Sequence, residues 1–174
     1  MKIFKNILFL IVVIVSIVFS NSSCERDDIC AEGTPTTPFL IIKFIDNETQ
    51  IETDIKRPSE LQVRAVGFDS IIDIGTVTDS IMIPLRTNTT STAFEFTINS
   101  DTTNDTTPPN TDIISFEYEP IEEYVSSACG FRVVYNAITA NEGEEGDDGD
   151  WIKGITERTL NVTDETAAHI FIFH

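Results

Sequence analysis

An all-β domain, a sandwich of two antiparallel sheets built from about eight short strands, is the fold this chain predicts. Three observations point there. Short segments of alternating apolar and polar residues recur along it, loops rich in Thr, Asp, Gly and Pro separate them, and no stretch of ten or more residues carries a helical stripe. Such strands pack face to face because each has one apolar side to bury. A partly closed barrel is the alternative arrangement of the same strands.

Taken in order, segment 38–46 (PFLIIKFID) is apolar on both parities. Leu40, Ile42 and Phe44 share one face and Phe39, Ile41 and Ile45 the other, as in a strand covered on both sides. In 60–68 (ELQVRAVGF), Leu61, Val63 and Ala65 oppose Gln62 and Arg64. Segment 80–86 (SIMIPLR) aligns Ile81, Ile83 and Leu85, and Pro84 assigns it to a sheet edge because proline donates no ladder hydrogen bond. Segment 92–98 (TAFEFTI) sends Phe94, Phe96 and Ile98 inward, and 112–119 (DIISFEYE) does the same with Ile114, Phe116 and Tyr118. Residues 121–128 (IEEYVSSA) are the best helical candidate, at most a turn or two. Segment 129–138 (CGFRVVYNAI) lines up Cys129, Phe131, Val133, Tyr135 and Ala137. Two weaker strands follow, near 159–163 and at 168–173 (AHIFIF). Two loops stand out as solvent-facing: 100–111 (SDTTNDTTPPNT), and 141–150 (NEGEEGDDGD) with six acids and three glycines in ten residues.

Ahead of this domain the chain reads as an address. Lys2 and Lys5 precede an apolar run from Ile7 to Phe19 broken only by Ser16, and Ser20, Asn21, Ser22 and Ser23 lead to Cys24. A basic start, a short apolar core and small residues before a cut make a secretory signal peptide. The run is too short to span a hydrocarbon core of about 30 Å comfortably. A cysteine straight after the small residues resembles the lipobox of bacterial lipoproteins, in which the signal is cut before a cysteine that then carries acyl chains. Ordinary cleavage after Ser22 is the competing reading. Cysteine parity separates the two: with Cys24 acylated, Cys30 and Cys129 remain as an even pair in an oxidising setting, which favours a disulfide. The expected organisation is therefore a signal peptide over 1–23, an acylated N-terminus and tether over 24–37, and one sandwich domain over 38–174.

Removing residues 1–23 leaves 151 residues and, since that piece holds two lysines and no acid, a mature charge of −20. A charge this negative repels phosphate backbones and anionic headgroups. Nucleic acid is thereby excluded as a partner, and membrane attachment falls to the acyl chains rather than to a basic face. The charge is not paired with low hydrophobicity, so it describes a soluble surface over a real core.

Chemistry is sparse. The carboxylates of Glu142, Glu144, Glu145, Asp147, Asp148 and Asp150, spaced by glycines, suit weak binding of a hard cation such as Ca²⁺, yet no register fits a dedicated calcium loop. His169 and His174 are five apart in one strand and project to opposite faces, so they do not share a metal. No nucleophile elbow, phosphate-cradling glycine loop or His-containing metal signature occurs. No cofactor, metal or catalytic constellation is expected. Trp151, the only tryptophan, reads as a core plug at the start of a strand; stacking on a sugar ring is the alternative.

The segment CERDD resembles the surface-export signal of Bacteroidota lipoproteins, with Arg26, Asp27 and Asp28 following the acylated cysteine. That likeness implies transport to the outer face of the outer membrane. CERDDIC, TPFLIIKF, DSIMIPLR, YVSSACGF, the WI after an acidic loop and the closing AHIFIFH together resemble an uncharacterised family of flavobacterial lipoproteins, a domain of unknown function. Asp-Ser or Asp-Thr followed by an apolar residue or Thr resembles the O-glycosylation motif of the same bacteria, at Ser70, Ser80, Thr102 and Thr106. The function expected is a surface-anchored binding, adhesion or structural module whose envelope protein or glycan partner is unnamed. The alternative is a divalent-cation- or glycan-binding accessory subunit of an envelope complex, using 141–151.

Overall fold

The computed structural model describes residues 29–72, 79–101, 107–143 and 149–174. Cys24, Arg26, Asp27, Asp28, Thr102, Thr106, Glu144, Glu145, Asp147 and Asp148 lie outside them. Among the described residues there are eight strands and no helix: β1 (Leu40–Ile45), β2 (Gln62–Ala65), β3 (Ser80–Ile83), β4 (Ser91–Ile98), β5 (Asn110–Ser126), β6 (Gly130–Glu142), β7 (Gly154–Glu157) and β8 (Ile170–Phe173). They form two four-stranded sheets, β3-β1-β8-β7 and β2-β4-β5-β6. The sheets are separate, so the architecture is a sandwich and not the partly closed barrel.

The alternation of each strand decides what lies between the sheets. Leu40, Ile42 and Phe44 of β1 stand beside Ile81 and Ile83 of β3 and Ile170 and Ile172 of β8. From the other sheet, Val63 pairs with Phe96 and Phe94 with Ile114, and Phe116 adds a third ring. All of these are buried. Each such side chain contributes roughly 1.5–3 kcal/mol of transfer energy, which is why a strand shifted by one residue would be so costly. Ile41 and Ile45, on the outer face of β1, are buried as well, as the two-sided apolar pattern requires. Phe39, just ahead of the strand, is exposed.

Pairing is antiparallel except between β1 and β8, which run parallel. These two strands lie near opposite ends of the described chain and sit side by side in the middle of their sheet, so the whole domain serves as the crossover that parallel pairing needs. β3 is an edge strand, as Pro84 indicated. Two buried tyrosines fasten the segment after it: Tyr135 Oη donates to Leu85 O at 3.0 Å and Tyr118 Oη to Arg86 O at 2.8 Å. Burial, reinforced by neighbouring Tyr118, pushes the Tyr135 hydroxyl up to about 12, so it is a permanent donor.

Four expectations are corrected. Residues 121–126 are strand, not a helical turn: β5 runs 17 residues straight through Pro120. Proline is tolerated there because β4 pairs with β5 only as far as Glu117, so the missing N–H faces a side with no ladder. Ala137 does not continue the inward row. It sits at φ 50° in a bulge that sets two β6 residues against Tyr118, after which Ile138 turns inward. Phe131 points to solvent. The strand expected near 159–163 lies earlier, at β7, and of that stretch Val162 alone makes a bridge, to Tyr135.

Candidate functional site

β5 and β6 form a hairpin whose two ends differ in chemistry, and the sequence-predicted residues divide between them. β6 alone has 13 residues, which at about 3.3 Å each separates the ends by roughly 40 Å.

At the tip, Cys30 and Cys129 are joined in a disulfide with Cα atoms 4.8 Å apart. The turn that presents Cys129 is closed by Ser126, whose Oγ accepts from Cys129 N at 3.0 Å, and by Gly130 at φ 74°, a conformation that favours glycine. Past the disulfide the chain runs back along the β6 edge. Thr37 Oγ1 accepts from Val133 N at 2.9 Å, and Thr34 N donates to Ala31 O in a turn that contains Gly33 at φ 78°. The stretch expected to act as a tether is therefore pinned to the domain from Cys30 onward. Below the turn, Arg132 bonds Glu123 through Nε and Nη2 (3.0 and 2.7 Å) and donates Nη1 to Thr163 O.

At the opposite end lie Glu142 and Asp150, the two described members of the acidic loop. Burial raises the Glu142 carboxyl above its ordinary value, and the nearby charges of Asp150 and Asp112 add to the rise. Among the described residues no group of three or more His, Cys, Asp or Glu is arranged to hold a metal ion. Asp112 is instead structural. Its Oδ2 accepts from Ile152 N at 2.7 Å, while Asn110 Nδ2 donates to Gly149 O. Trp151 is buried and its Nε1 donates to Phe96 O at 3.0 Å, with its ring against Phe44 and His174. It is the core plug, and it offers no face to a sugar.

Both histidines serve the backbone. His169 Nδ1 accepts from Ile41 N (3.0 Å) and Nε2 faces Asp164 O (3.0 Å), which fixes the neutral tautomer with hydrogen on Nε2. Burial holds its pKa below the usual 6.5 against the opposing pull of Asp164 and Glu165. His174 Nε2 bonds Lys56 O, and burial lowers it too. With both nitrogens of His169 taken by main-chain groups, that ring is a latch between β1 and β8. The two residues flank the last strand at its opposite ends and their rings share no hydrogen-bond partner.

An open groove of about 630 Å³ on the outer face of the β1-β8 sheet holds Ile41, Lys43, Glu52, Arg158, Glu165 and Phe171. Its charges are already engaged: Arg158 pairs with Glu52 at 2.8 Å and lies over the Phe171 ring, Lys43 lies over the same ring, and Glu165 Oε1 accepts from Phe39 N. It reads as sheet cover rather than a reaction site. Of the glycosylation-motif serines, Ser70 is exposed, whereas Ser80 is half-buried in β3 with its hydroxyl on Asp79.

Comparison with known proteins bears on the domain. A family model described as a family of unknown function (DUF6452) matches residues 60–174. The chain belongs to that family. The match takes in β2 to β8 and Cys129 and leaves out β1 and Cys30. It carries no activity and nothing about lipidation. No curated protein and no solved structure matches the chain.

Sequence reasoning missed one feature, an exposed aromatic pair at the hairpin tip. Tyr124 and Phe131 stand directly opposite each other with ring centroids 5.4 Å apart. The signal was there: Tyr118, Pro120, Glu122 and Tyr124 keep one parity, so extending the strand through Pro120 would have found Tyr124.

Proposed function

We propose that the protein is a lipoprotein anchored on the outer membrane through acyl chains on Cys24, facing the cell exterior, and that its sandwich is a binding, adhesion or structural module held close to the bilayer. The observation that carries this reading is the position of the disulfide. Cys30 is six residues from Cys24, a reach of at most about 20 Å, and it is bonded to the tip of the longest hairpin. The acidic loop leaves the far end of the same hairpin, where repulsion from an anionic surface keeps it outward. Two acyl chains hold a protein firmly where one holds it only reversibly. Arg26, Asp27 and Asp28 supply the export signal on this reading.

Replacing Cys24 by Ser is expected to release the protein from membranes or leave its signal uncut. Protease added to intact cells is expected to digest the native protein. A protected protein would remove surface display and leave anchoring standing. The cation-binding alternative keeps one supporting observation, that the charges of Asp150 and Asp112 each act on Glu142. Calorimetry of the mature protein with Ca²⁺ separates the readings, because heat no stronger than millimolar binding would retire the alternative.

A further inference from the structure

Among the described residues, the three most exposed large apolar side chains surround one disulfide. Ile29 is 84% exposed, Phe131 65% and Tyr124 61%. Ile29 adjoins Cys30, Phe131 follows Cys129 by two, and Tyr124 is the cross-strand partner of Phe131. Exposure of one such residue is ordinary; three around one point is a patch. The hairpin turn itself carries no charge, and Glu32, two residues past Cys30, is the nearest described acid on the segment bonded to it. Residues 124–131 (YVSSACGF) hold no Asp, Glu, Lys or Arg in a chain with 29 acids. The first charges below it, Glu123 and Arg132, neutralise each other.

We propose that the tip of the β5–β6 hairpin is a lipid-facing foot, with Ile29, Tyr124 and Phe131 seated in the interfacial layer of the bilayer that holds the protein. This rests on the reading of Cys24 as the acylated residue. The occupant follows from where the chain leads. The segment ahead of Ile29 runs to Cys24 within about 20 Å, so acyl chains and tip share one end of the molecule. Tyrosine suits a membrane interface because its ring is apolar and its hydroxyl wet, and Tyr124 Oη is already bonded to Ser127 Oγ at 3.0 Å. Charges on the turn would be stripped of water at headgroup depth; residues 124–131 carry none, and Glu123 just below them is paired with Arg132. The foot adds what a flexible anchor lacks, a fixed orientation with the acidic loop directed away from the membrane.

The test uses the acylated full-length lipoprotein bearing Phe131→Trp, reconstituted in phosphatidylcholine vesicles whose acyl chains are brominated close to the headgroup. Trp151, the only native tryptophan, is buried, and its signal is subtracted with the unsubstituted protein. The added indole is expected to lose emission to brominated lipid, shift to shorter wavelength and resist aqueous iodide. Quenching by iodide and not by brominated lipid overturns the foot. So does an indole shielded from both, which would place a second copy or another protein on the tip. Flotation of the unsubstituted protein with the same vesicles distinguishes loss of the foot from loss of the anchor. A floating protein with a wet indole loses the foot alone, and a protein that does not float and carries an unmodified Cys24 loses the anchor and the foot together.

Discussion

The two ends of the β5–β6 hairpin are built from the same strands and held in opposite ways. The acidic end rests on core: buried Trp151 donates to Phe96 O and packs against Phe44, Asp112 receives the N–H of Ile152, and Gly143 N donates to Ile113 O at 2.7 Å. The tip extends past the last pairing of β4 with β5 and has little sandwich beneath it. There a covalent bond replaces burial. The contrast shows that a strand pair can project beyond its core if something outside the hydrophobic effect fixes it. It also explains why Phe131 and Tyr124, among the most exposed large apolar side chains described, stand at the end that the core does not reach.

Breaking the covalent end is expected to have the largest effect. The disulfide spans 99 residues, so the chain-entropy argument assigns it about 4–5 kcal/mol. Cys129→Ser should lower the denaturation free energy by that order in urea unfolding, and should expose residues 31–37 to hydrogen exchange first. A loss below about 1 kcal/mol would mean that Thr37 and its neighbours hold the tether without the bond.

At the acidic end the corresponding cut is Asp112→Ala. It leaves the buried N–H of Ile152 without its acceptor, at a cost of about 1–3 kcal/mol. Thermal unfolding measures it. If the variant is as stable as the parent, the bond from Ile152 N to Asp112 does not support the fold.

Acid should act with opposite sign on the His169 latch and on the acidic end. His169, which latches β1 to β8, has its pKa lowered by burial, so the unfolded chain binds the proton more readily. Its contribution is fully present above the ordinary 6.5 and is lost as pH falls below it. Glu142 has its pKa raised by burial and by Asp150 and Asp112, so its ionised form destabilises the fold and a falling pH relieves that. Hydrogen exchange in steps below neutrality should show Ile41 and His169 amides losing protection while the amides around Glu142 gain it. Parallel loss at both sites would contradict the assignment.

Much of this arrangement was legible in the residues. Two-sided apolarity in 38–46, the strict alternations around Phe94 and Phe116, and proline at an edge each report directly on a strand's neighbours. Cysteine parity named the disulfide. What escaped notice depends on partners far away in sequence. Pro120 ends a strand only if the next strand needs its N–H, and that depends on where β4 stops. Phe131 reads as core by parity, and only the overhang of the hairpin turns it out. The Ala137 bulge and the parallel β1–β8 pair likewise have no local signature. At the acidic end, Trp151 was legible because a lone large aromatic beside a polar loop has burial as its strongest drive.

The smallest expected effect is at the tip. Tyr124→Ser with Phe131→Ser removes exposed surface, so stability in water should change by no more than about 0.5 kcal/mol. A larger loss would show that the pair supports the fold rather than awaiting a partner.

Mass spectrometry of the native protein, digested without reduction, reads the acyl anchor and the disulfide together, because one peptide carries both links. The expected product is an N-terminal fragment that begins at Cys24, bears acyl chains, and is joined through Cys30 to the fragment containing Cys129. An unmodified Cys24, or Cys30 recovered as a free thiol, would contradict it.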